Sequence, residues 1–168
     1  MTVLGQILQD ALFAAIAAIG FAAISRPPLR AYLYCAIIAA LGHSVRFFLM
    51  NAQYGPGMHI LAATAVAAFV VGLLAVFLSP AARVPAESCL FPALLPMIPG
   101  IYAYKTFGAL ALCAFGNGEE TFNHYFYLFA SNGMTCLAIL LVMVVGATLP
   151  IFMFEKISFQ ATRHRKFL

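Results

Sequence analysis

The sequence predicts an all-α, polytopic integral membrane protein. Three observations carry that prediction. The 168 residues are 64% hydrophobic and only 8% charged, whereas a soluble domain is about a quarter charged. Apolar segments of about 20 residues recur, the length that crosses a bilayer core. The connections that carry lysine or arginine then alternate with those that do not, the pattern that sets orientation in a membrane. No linker is long enough to hold a separate soluble domain, so residues 1–168 read as a single transmembrane domain.

Five apolar segments follow in order, at about 3–24, 31–50, 58–78, 87–115 and 123–153, with a basic tail over 154–168. "SRPPLR" separates the first two, "NAQYGPG" closes the second, "SPAARVPA" the third and "GNGEE" the fourth. The first connection carries Arg26 and Arg30, the third Arg83, and the tail Lys156, Arg163, Arg165 and Lys166. The second connection has no basic residue, and the fourth has Glu119 and Glu120. Five spans place every basic connection on one face, with the N-terminus outside and the C-terminus in the cytoplasm. Four or six spans would divide them. Small residues crowd the first and third segments, and Ala68 with Gly72 gives a small-xxx-small pair suited to close helix packing.

The composition also excludes function classes. The net charge of +4 comes from loops and the tail "RHRKFL", a stop signal facing the cytoplasm rather than a nucleic-acid patch. Cys35, Cys89, Cys113 and Cys136 form no C-x-x-C pair and read as small hydrophobes. Neither a metal site, a cofactor nor a disulfide framework is expected. The N-terminus lacks a basic leader region and Asp10 interrupts its apolar run, so a cleaved signal peptide is not expected. No G-x-S-x-G, H-E-x-x-H or paired-Asp motif is present, which argues against an intramembrane enzyme.

The fourth segment is the anomaly. "PALLPMIPGIYAYK", residues 92–105, places three prolines and a glycine in an apolar run and ends on a lysine. A proline removes a helical hydrogen bond and clashes with the preceding turn. At membrane depth such a break is tolerated where protein covers it or where it lines a watery cavity, and broken helices of this kind form substrate sites in transporters. Pro99 suits a first helical turn, Gly100 admits close approach, and Lys105 adds a cation that would favour a carboxylate. A plain structural kink is the competing reading.

Ionisable groups inside apolar segments are costly and mark function. Asp10, His43, Arg46 and Lys105 are such groups, with Asn132 as a neutral companion. At about 1.5 Å of rise per residue, Asp10 and His43 lie roughly 10 Å deep, and Lys105 and Asn132 roughly 15 Å. Four helices thus bring polar groups to one slab, and a converging site is expected. His43 and Arg46, three apart, share a helix face. Arg46 and Lys105 have side chains long enough to snorkel to the interface instead. Asp10 does not, and a carboxyl group is a natural proton carrier. His59, Asn123 and His124 read as rim residues.

"LQDALFAAIAAIGFAAI", "CAIIAALGHSVRFFLM" and "LPMIPGIYAY", in that order, resemble the split, small-subunit type of the threonine/serine exporter family. The resemblance is good from about residue 5 to about residue 105, and the fifth segment matches only in character. The residues matching the family pattern are Asp10, Gly42, His43, Arg46, Pro96, Pro99, Gly100, Tyr102 and Tyr104, whereas Lys105 is not part of it. The resemblance implies a secondary carrier half that works with a larger membrane subunit in the bacterial inner membrane. It exports small carboxylates, either succinate-like dicarboxylates or threonine and serine. Two five-helix halves in succession would be inverted, the plan of many secondary transporters. On this reading Arg46, Pro99, Gly100, Tyr102, Tyr104, Lys105 and Asn132 bind substrate, and Asp10 with His43 handles the proton. The alternative is a non-transporting scaffold or assembly subunit, against which the polar slab argues; a channel fits less well, because a fixed cation beside a half-helix is a binding feature. No nucleic-acid partner is expected.

Overall fold

The computed structural model describes residues 3–116 and 118–158. The elements are α1 (Val3–Ser25), α2 (Leu29–Met50), α3 (Ile60–Ala82), α4 (Ala86–Leu94) with a 3-10 turn at Leu95–Met97, α5 (Gly100–Phe115), α6 (Glu119–Met153) and a short α7 (Glu155–Ser158). Among the described residues there is no strand. By length and composition α1, α2, α3 and α6 can each cross a membrane, and a fifth span arises if Ala86–Met97 and Gly100–Phe115 are one broken segment. The all-α membrane class and the broken fourth segment are therefore those the sequence predicts. Arg163, Arg165 and Lys166 of the basic tail lie outside the described residues.

The chain divides into two compact units, Met1–Met97 with Val142–Leu168, and Ile98–Leu141. In the first, small residues decide the packing. The buried positions of α1 are Ala14, Ala18 and Ala22, a four-residue repeat that runs down one helix face and that Asp10 extends by one turn. Leu4, Leu8, Leu12, Ile16 and Ile19 of α1 are exposed, an apolar surface suited to lipid or to another helix. The buried face of α2 comprises Ala31, Cys35, Ala36, Ile38, Ala39, Gly42 and His43. Gly42 is there for contact: a β-carbon at this position would run into the Val71 side chain of α3. Likewise one at Gly72 would meet the Ala147 carbonyl of α6, and one at Gly146 would lie 2.7 Å from the Ala65 carbonyl. The Ala68–Gly72 pair thus lies on the seam where α3 meets the last turns of α6, which is the close backbone approach that holds helices together in lipid.

The connections rich in arginine gather at one end of this unit. Arg30 Nη2 donates to the Arg83 carbonyl at 3.4 Å, joining the α1–α2 and α3–α4 connections. Arg83 caps α3 in the left-handed region at φ 53°. Phe154, just before α7, packs on Phe77 near the C-terminal end of α3 with ring centroids 5.4 Å apart, which brings Lys156 to the same end. The opposite end holds the α2–α3 connection. There the Asn51 side chain accepts from the backbone amides of Gln53 at 2.9 Å and Tyr54 at 3.2 Å, a local turn that stops α2. Cys35 and Cys89 are fully buried and Cys35 Sγ donates to the Ser88 carbonyl at 3.9 Å, so both fill core space between α2 and α4.

In the second unit, α5 packs on the first half of α6. A β-carbon at Gly133 would lie 3.3 Å from the Thr106 methyl, and Cys113 Sγ donates to the Phe122 carbonyl at 3.8 Å. Thr106 Oγ1 donates to the Tyr102 carbonyl at 2.7 Å, a back-bond of the kind that lets a hydroxyl sit inside an apolar helix.

Candidate functional site

Three of the ionisable residues singled out in the sequence come together in the first unit. Asp10 of α1 and His43 of α2 meet directly, with His43 Nδ1 and Asp10 Oδ2 3.1 Å apart. Their spacing fits the packing beneath them. Asp10 continues the alanine stripe of α1, and His43 follows Gly42 on the buried face of α2, so close helix approach delivers the ring to the carboxyl. His43 is buried, and its Nε2 has no partner among the described residues. A ring with Nδ1–H donating to the carboxylate leaves Nε2 as a bare acceptor. Adding a proton there requires a water or a ligand to receive the new N–H.

Arg46 lies one helical turn beyond His43 and is half-buried. Its Nη1 donates to the backbone carbonyl of Met97 at 2.9 Å, turning the head group inward to the end of the 3-10 turn. Among the described residues the ion pair of Asp10 is with His43 and none involves Arg46. Arg46 and Asp10 nevertheless line the same cavity of about 270 Å³, together with Phe47, Met50 and Asn51. It therefore presents a cation and a carboxylate side by side, walled by one aromatic and one thioether side chain and an amide. It is near the lower size limit of small-molecule sites.

Sequence reading missed Phe47, Met50 and Asn51. The signal was present: 43, 46, 47 and 50 share one face of α2, so the residues flanking His43 and Arg46 at helical spacing were candidates too. Nothing in the local sequence pointed to Met97, whose contribution is a backbone carbonyl.

The remaining predicted residues belong to the second unit. The chain breaks at Pro99, whose φ of −76° and ψ of 63° are those of an inverse γ-turn, closed by Gly100 N donating to the Ile98 carbonyl at 2.8 Å. Proline has no amide N–H, and that of Gly100 is taken by this turn. Gly100 itself has open space around its α-carbon. Tyr104 and Lys105 are exposed and Tyr102 is half-buried on α5. Asn132 Nδ2 donates to the Leu128 carbonyl of its own helix at 2.7 Å. Contacts therefore unite Asp10, His43 and Arg46, and Tyr102, Tyr104, Lys105 and Asn132 are described with α5 and α6.

Comparison with known proteins gives this polar arrangement a context. The family model of the threonine/serine exporters (ThrE) matches residues 10–153. The chain belongs to the threonine/serine exporter family. This is a family of transporters rather than enzymes, and its members span the membrane several times. The family match begins at Asp10, so the whole of the Asp10–His43–Arg46 group falls inside it. An uncharacterized protein of Haemophilus influenzae is 37% identical over 152 residues, which is 90% of this chain and 48% of that protein. The chain thus spans about half the length of this relative. No solved structure matches it.

Proposed function

We propose that this chain is one half of a secondary exporter of small carboxylate-bearing solutes, completed by a larger membrane subunit of the same family in the bacterial inner membrane. The observation that carries the reading is the cavity walled by Arg46 and Asp10, with Asp10 joined to His43. An arginine without an ion-pair partner is suited to a carboxylate, which it grips through parallel N–H donors. The carboxyl beside it is suited to an ammonium group or to a proton. One cation and one carboxyl match the two ends of an α-amino acid such as threonine or serine. A dicarboxylate such as succinate would call on a second cation, which the lining of this cavity does not include. Asp10 and His43 carry the coupling proton, passing it along the 3.1 Å contact between them.

The partner rests on the resemblance to the split type of the family. A relative about twice as long, of which this chain matches one half, supports a carrier made of two such halves. The cluster of Arg26, Arg30, Arg83 and Lys156 at one end of the first unit supports an inward-facing cytoplasmic end, with the N-terminus outside and the Asn51 end of the cavity toward the external face.

The test is uptake of labelled threonine, and separately succinate, into inverted membrane vesicles that carry this chain alone or with the larger subunit. Uptake of one solute only when both subunits are present is the expected result. Absence of both uptakes from a complex shown to be assembled would overturn the reading.

A further inference from the structure

The helix break and the arginine are two parts of one device. In an unbroken helix the Met97 carbonyl would accept from the amide four residues on, that of Ile101. The γ-turn at Pro99 prevents this, and Met97 is wholly buried, so its carbonyl requires another donor. Arg46 Nη1 supplies it at 2.9 Å. A guanidinium is a rigid plane with five donors, so fixing one of them fixes the direction of the rest. Among the described residues no carboxylate pairs with Arg46, and Arg46 lines the cavity it shares with Asp10.

We infer that the Met97 carbonyl is a positioning group for Arg46, holding the guanidinium by Nη1 so that its remaining donors meet a ligand carboxylate in the Asp10 cavity. The inference rests on the carboxylate-exporter reading for its ligand but not for its geometry. It also gives the break its role: Pro99 frees a carbonyl to orient an arginine, rather than freeing amides to hold the ligand. A lysine at position 46 would bring a single compact charge and lose the fork.

The experiment weakens the carbonyl and leaves every side chain in place. The α-hydroxy analogue of isoleucine at position 98 turns the Met97 carbonyl into an ester carbonyl, a poorer acceptor. Pro99→Ala is the second variant, because it restores an N–H at the break and lets Ile101 compete for Met97. Arg46 in membranes is labelled with phenylglyoxal and quantified by mass spectrometry, with threonine or succinate as protectant. In the parent protein one of these carboxylates slows labelling. In both variants the half-protecting concentration rises about tenfold, while labelling without ligand stays as fast or becomes faster. The same half-protecting concentration in parent and ester variant would overturn the inference, and so would a parent protein that neither carboxylate protects. Protection that follows this pattern in an assembled complex of both subunits that shows no vesicle uptake would uphold the inference and sink the exporter reading, so the two fail separately.

Discussion

At the scale of single residues, the proposed chemistry rests on Asp10, His43 and Arg46. Asp10→Asn keeps an oxygen for the His43 ring but cannot exchange a proton. In vesicles holding the complete carrier, uphill transport driven by a pH gradient should be abolished, while solute exchange across the membrane at equal pH persists. Equal loss of both activities, with the protein present at normal level, would remove Asp10 from coupling. Arg46→Lys keeps the charge and loses the planar fork. Its KM for the transported carboxylate should rise about tenfold, equivalent to ~1.4 kcal/mol, with the maximal rate little changed. An unchanged KM would mean that Arg46 does not touch substrate.

At the scale of elements, the site exists because small residues let helices approach. Gly42 lies against Val71 with no room for a β-carbon, and His43 is the next residue. Gly42→Leu overpacks that contact and should cost about 1–3 kcal/mol, seen as a lower melting temperature in detergent. Gly100→Ala is the contrast. Open space surrounds that α-carbon and alanine is the better helix former by about 1 kcal/mol, so the melting temperature should hold or rise. A fall at Gly100 as large as that at Gly42 would contradict the packing described. The broken segment was legible from Pro92, Pro96 and Pro99, because proline acts on its own backbone. Its use was not. No local pattern shows that the turn closes on itself through Gly100 and leaves the Met97 carbonyl to Arg46.

At the scale of the whole molecule, the arginine-bearing connections meet at one end of the first unit through the Arg30–Arg83 contact. With that end in the cytoplasm, a cysteine replacing Tyr54 in a background without other cysteines should react with an impermeant maleimide added outside intact cells. One replacing Pro27 should react only after the cells are opened. The reverse pattern would invert the proposed orientation. The exposed leucine and isoleucine face of α1 agrees with a protein that spends much of its surface on lipid or on further helices.

Class, span positions, helix break and the identity of the polar intruders were all decided by the sequence alone. Each depends on a local quantity: the apolar length needed to cross hydrocarbon, the backbone effect of proline, the cost of a charge at depth. Only the tertiary structure decided which intruders are partners. Asp10 and His43 are 33 residues apart in the chain, and Arg46 and Met97 51. Depth along the membrane normal can be counted from a sequence, but rotation and neighbour choice cannot. Those are set by where glycine and alanine allow two backbones to touch, and that choice turned His43 to Asp10 and Arg46 to a carbonyl that carries no side-chain signal.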